Sequence, residues 1–137
     1  MKQSWYAELE REHGEQLVLL ERIELALQAL DLEKARDLVG ELDRKLAEHL
    51  AYEEEVLRLH VEKLMLPEEV LTLDELEREH VGLLGGMTSL RYGVAGVTPG
   101  PHLEAALAFI HAFRHHTLSE QRLLRGVNER LTRVRAS

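Results

Sequence analysis

The pentapeptide "LEREH" occurs twice, at residues 9–13 and 76–80, and each copy ends in a histidine set among leucines. His13 lies four residues after Leu9 and four before Leu17; His80 stands in the same way between Leu76 and Leu84. On a helix that spacing puts both imidazoles on the apolar face. His49 follows Leu42 by seven residues and precedes Glu53 by four, and His116 precedes Glu120 by four, so each pair shares a face that also carries leucines. Two unpaired carboxylates buried among leucines would be very costly, and four adjacent imidazoles cannot all be protonated there. A cation resolves the conflict. Imidazole nitrogen and carboxylate oxygen suit iron, manganese or zinc, and two glutamates able to bridge suit a pair of ions. The predicted metal ligands are therefore His13, His49, Glu53, His80, His116 and Glu120.

These residues need rods to carry them, and the chain supplies four. Leu9, Leu17, Leu20 and Leu27 recur near a helical period, with Ser4 as the expected N-cap and an end near Leu30. Asp31 caps a second helix with a stripe through Leu38, Leu42, Leu46, Val56, Leu57 and Leu64, halted at Pro67. Thr72 and Glu75 form an expected capping box for a third helix with Leu76, Leu83, Leu84, Met87, Leu90 and Val94 inward. "GVTPGP" at 96–101 stops it, and the fourth helix follows Pro101 with Leu103, Leu107, Ile110, Phe113, Leu123, Leu124 and Leu131 inward. Short connections predict an all-α, up-down-up-down four-helix bundle formed by one domain, residues 1–137.

An offset of 67 residues relates the two pentapeptides, and the same offset pairs His49 with His116, Glu53 with Glu120, Leu57 with Leu124 and Arg58 with Arg125. The expectation is an internal repeat of two helix hairpins about a pseudo-two-fold axis. Height agrees with it. His13 lies 17 residues before Leu30 and His49 lies 19 after it, so the rise along the second helix nearly cancels the descent along the first. All six groups can share one layer.

Composition removes other functions. The formal charge is −8 with the basic residues interspersed among the acids, which argues against nucleic acid as a partner. No apolar run reaches membrane-spanning length and the N-terminus lacks a signal-peptide core, so a soluble cytoplasmic chain is expected. The absence of cysteine excludes thiolate chemistry and leaves His, Asp and Glu to hold any metal.

Other residues carry secondary expectations. Glu10, Arg11 and Glu12 fall toward solvent. His115 competes with His116, but the 67-residue offset and the i+4 spacing choose His116, leaving His102, His111 and His115 on the surface; His60, whose offset mate is Val127, takes a core or bundle-end place. Glu24 and Arg91 are predicted to pair across the core. Tyr52, next to Glu53, is the phenol expected nearest the metals. Gly82, Gly85, Ser89, Gly93 and Gly96 form a stripe of small residues opposite His80 that predicts a homodimer contact. An alternative ligand set uses Glu10-x-x-His13 and Glu77-x-x-His80, the ExxH pairs of ferritin-like oxidases and peroxidases, with Glu53 and Glu120.

The order His13, "HLAYEE" (49–54), His80, "HTLSEQ" (116–121) resembles the hemerythrin-like, or HHE cation-binding, family over essentially the whole chain. The resemblance implies a four-helix bundle with a non-haem di-iron site, two irons per chain, ligated by His13, His49, Glu53, His80, His116 and Glu120 with both glutamates bridging. It further implies a module that binds or senses oxygen, nitric oxide or iron itself. A di-iron catalyst and a bundle merely stapled by metal are the alternatives.

Overall fold

The computed structural model describes residues 4–136, and of residues 60, 135 and 136 it describes the backbone alone. The place expected for the His60 side chain therefore lies outside the described residues. Four helices dominate: α1 (Ser4–Gln28), α2 (Leu32–Glu53), α3 (Pro67–Gly93) and α4 (Pro101–Ala136), with no strand among the described residues. α1 packs against α2 and α4, and α3 against α4 and α2, which closes the antiparallel ring.

The turns follow from residue chemistry. After α1, Leu30 takes a left-handed conformation (φ 55°), and Asp31 N donates to Ala26 O at 2.9 Å, satisfying one of the carbonyls the helix end leaves open. Asp31 then caps α2 by accepting from Lys34 N, as its residue type predicts. Ser4, the expected cap of α1, is the first described residue of that helix. Between α3 and α4 a short 3-10 turn, Val94–Gly96, leads to Gly100 at φ 103° and to Pro101 in the first position of α4.

Two expectations about the elements are corrected. α3 opens at Pro67, not at Thr72: Leu66 is extended before the proline, and the Glu69 carboxylate accepts a hydrogen bond from Leu66 N at 2.7 Å. Thr72 lies inside the helix, its hydroxyl donating to Glu68 O. The helix following Glu53 does not continue as α: residues Glu54–Val61 form a π-helical stretch ending in a 3-10 turn, Glu62–Leu64. It starts one residue past a site carboxylate, where such widened turns tend to occur.

The core divides along the bundle axis. One cluster, with Leu20, Ile23, Leu27, Val39, Leu42, Met87, Ile110 and Phe113, fills the end that holds the α1–α2 and α3–α4 turns. A smaller one, with Tyr6, Leu9, Leu57, Val61, Leu73, Leu124 and Val127, fills the other. Each fully buried leucine removes enough apolar surface to contribute about 1.5–3 kcal/mol, so two such clusters clamp whatever lies between them. Leu64 and Leu84, expected inward, are exposed. Leu84 adjoins the buried Leu83, and successive helical residues point about 100° apart.

Candidate metal centre

All six sequence-predicted ligands meet in the layer between the two apolar clusters. α1 supplies His13, α2 supplies His49 and Glu53, α3 supplies His80, and α4 supplies His116 and Glu120. Five are buried, and His80 is half-buried. The histidines stand in two edge-on pairs, His13 with His49 (ring centroids 4.7 Å apart) and His80 with His116 (4.9 Å).

The Glu120 carboxylate lies between the pairs and gives one oxygen to each. Its Oε1 is 2.8 Å from His13 Nε2 and 3.3 Å from His49 Nε2; its Oε2 is 3.3 Å from His80 Nε2 and 3.2 Å from His116 Nε2. Glu53 spans the pairs less closely, with Oε2 2.8 Å from His49 Nε2 and Oε1 3.9 Å from His80 Nε2. Every imidazole thus turns Nε2 inward. Groups able to hold a cation therefore fall into two sets that share Glu120: His13, His49, Glu53 and Glu120, and His80, His116 and Glu120, each with its donor atoms within 4.8 Å of one another.

The outward nitrogens are fixed by a second layer. His49 Nδ1 lies 2.7 Å from Glu12 Oε1, and His116 Nδ1 lies 2.8 Å from Glu79 Oε1. His13 Nδ1 lies 2.7 Å from Gln121 Oε1, and Gln121 Nε2 donates to the Tyr6 hydroxyl, which itself donates to Glu10 at 2.9 Å. An acceptor at Nδ1 keeps that nitrogen protonated and leaves Nε2 free to ligate, the arrangement found behind most metal-bound histidines.

Electrostatics among these groups record the crowding. Burial and the adjacent Glu120 charge push the Glu53 carboxyl well above the usual range. Burial acts on Glu120 in the same sense, but hydrogen bonds from His116, His13, His49 and His80 outweigh it and hold that carboxyl well below. Burial opposes the charge on His49, yet Glu12, Glu120 and Glu53 together push it up to about 11. His116 is raised too, burial being outweighed by Glu120 and Glu79.

A cation fits this donor set on an observation independent of residue type. His49 directs its Nε2–H at Glu120, and neither buried oxygen of Glu53 receives an aligned hydrogen bond. A buried carboxyl group that receives no aligned hydrogen bond is costly, and ligation supplies what the ion-pair contact with His49 alone does not.

Several secondary expectations are corrected. Glu12 faces α2 and serves His49, although the sequence placed it toward solvent. Glu10 and Glu77 of the ExxH alternative lie outside both ligand sets: Glu10 accepts from Tyr6, and Glu77 is held by Arg58, which also binds Asp74 and Glu62. Glu24 does not meet Arg91. It pairs with His111 and Arg114 of α4, while Arg91 reaches Asp43 of α2. The buried phenol beside the site is Tyr6, and Tyr52 is half-buried toward Glu8, Glu12 and Glu55. His102, His111 and His115 are exposed, as expected. Sequence reasoning gave no site role to Glu12, Glu79, Gln121 or Tyr6. The first two carried a signal, each immediately preceding a repeated histidine; Gln121 and Tyr6 carried none, being 115 residues apart.

A bundle of four antiparallel helices holding carboxylates and imidazoles in its interior defines a helical metal-binding domain. The chain matches the hemerythrin HHE cation-binding domain family over residues 5–126 and belongs to that family. No curated protein and no solved structure gives a match. No described helix is long and apolar enough to cross a membrane.

Proposed function

We propose that this protein is a non-haem di-iron module in which His13, His49, Glu53, His80, His116 and Glu120 would hold two ions, the Glu120 and Glu53 carboxylates standing between the two histidine pairs. The observation that carries the reading is the Glu120 carboxylate, whose two oxygens face separate histidine pairs. When bound, such an ion pair supplies open coordination positions for a small diatomic ligand, oxygen or nitric oxide. The chain's own part is to orient and to exclude water. Glu12, Glu79 and Gln121 fix three rings, and leucines close both ends of the layer. The half-buried His80 leaves one side nearer solvent, which suits reversible binding or sensing.

The two hairpins, α1–α2 and α3–α4, support the reading of an internal repeat. Glu12 meets His49 and Glu79 meets His116 by equivalent bonds, and both partners are related by the 67-residue offset. Gly82, Gly85, Gly93 and Gly96 each have open space where a Cβ would stand, so nothing within the chain covers the face proposed for a homodimer contact. An unchanged oligomeric mass in Gly85→Leu would count against it.

Metal content of protein purified without added metal tests the main reading. Two irons per chain are expected, with a loss on His49→Ala and an equal loss on His116→Ala; zinc or manganese in the same stoichiometry would change the metal and keep the site. Protein that binds no transition metal overturns the proposal. An oxygen- or nitric-oxide-dependent visible spectrum without turnover separates binding or sensing from catalysis, and stability that depends on metal without any ligand response would leave a structural staple.

A further inference from the structure

The His13/His49 set is buried, so an ion bound for it requires a path. A polar cavity of about 130 Å³ opens between α1 and α2 beside His49, lined by Glu12, Glu15 and Gln16 from one helix and Lys45 and Glu48 from the other. Exposure falls inward along it: Glu48 lies at the surface, the Glu15 side chain is 39% exposed, Glu12 17% and His49 4%. Gln16 is 2% exposed, and its amide nitrogen has no hydrogen-bond partner. A buried amide left unpaired is unfavourable, so its place on the wall of a polar cavity indicates an occupant that carries oxygen, such as the water shell of an ion. The second hairpin is built otherwise. At the positions 67 residues after Glu15, Gln16, Lys45 and Glu48 it has Gly82, Leu83, Ala112 and His115, so the polar lining belongs to the first hairpin alone.

We infer that this cavity is the entry port for a divalent cation bound for the His13/His49 side of the centre, an inference that rests on the metal reading above. Glu48 and Glu15 gather the hydrated ion at the mouth by charge. Gln16 contacts its water shell as the passage narrows, and Glu12 stands last before His49. Lys45 and Arg11 hold Glu15 at 3.3 Å and 2.5 Å, and the ion must displace them to pass. The half-buried His80 gives the second set its own approach from solvent, so uptake has two routes.

The test is stopped-flow uptake of cobalt(II) by the metal-free protein, followed by its visible absorption, for the wild type, Gln16→Leu and Glu48→Gln. The wild type takes up two ions in two phases. Each substitution slows one phase about tenfold by removing polar lining or mouth charge, and leaves the other phase, the final stoichiometry and the equilibrium affinity as they were. Glu48 is exposed, so Glu48→Gln keeps the test open if Gln16→Leu does not fold. Uptake at the wild-type rate in both variants, with two ions still bound, overturns the port and leaves the metal centre standing. A wild type that binds no cobalt overturns the centre, and the port with it.

Discussion

Gln121 holds His13 from behind: its Oε1 lies 2.7 Å from Nδ1 of that ring, and its own orientation is set by donation to the Tyr6 hydroxyl. Tyr6 is the remote end of a buried chain that decides which nitrogen of His13 faces the site. Tyr6→Phe removes the acceptor for the Gln121 amide and lets it turn, so His13 loses its fixed tautomer. Outer-layer losses of this kind weaken metal affinity by about 10- to 100-fold. Tyr6→Phe is expected near the lower limit and Gln121→Ala near the upper, for one of the two ions. Competition with a chromophoric chelator reads both, and equal affinity in all three proteins would remove Gln121 from the role.

Glu12 and Glu79 make equivalent bonds to His49 and His116 but stand in different surroundings. The Glu12 side chain is 17% exposed and that of Glu79 is 53% exposed. A solvated carboxylate is screened and replaceable by water, a half-buried one is not. Glu12→Ala is therefore expected to weaken metal binding by about 10- to 100-fold and Glu79→Ala by less than about tenfold. Isothermal titration of the two variants checks the order, and the reverse order would refute the argument from exposure.

These contacts mark where the sequence was legible. The six inward groups were found because i+4 spacing and the 67-residue offset are properties of the chain itself. Asp31 was found because its side chain caps whatever helix follows it. Glu12 was misplaced because α1 is covered on two sides, by α2 and α4, so a residue about 100° round from His13 meets a neighbouring helix and not water. The start of α3 was misplaced because Thr72 and Glu75 match a capping pattern, whereas the helix opens earlier, with Pro67 in its first position and the Glu69 carboxylate accepting from Leu66 N. Neither Gln121 nor the π-helical turn after Glu53 had a local signature, since each depends on what packs against it.

Leu30 offers a test apart from the site. It carries a left-handed φ of 55° in the turn between α1 and α2, is 41% exposed, and has a Cβ that disfavours this conformation. Leu30→Gly relieves that strain at the expense of a more disordered unfolded chain, and is expected to raise stability by up to about 1 kcal/mol. Urea denaturation checks it, with the midpoint moving up and the slope unchanged.

The charges of the metal-free layer predict how pH acts on it. His49 is raised to about 11, so its stabilisation is fully present below the ordinary imidazole value of about 6.5 and is lost as pH rises through 11. Glu120 is depressed, so its stabilisation is present above the ordinary carboxylate value and is lost as pH falls through its lower folded value. Glu53 is raised, and its protonated form gives up stability as pH climbs past that range. At neutral pH the layer therefore holds a proton on His49 that a cation must displace, since ligation requires neutral imidazole. Metal addition to weakly buffered protein is expected to release protons, seen with an indicator dye, and apparent affinity is expected to rise between pH 6 and pH 8. Binding without proton release would mean that His49 is not a ligand.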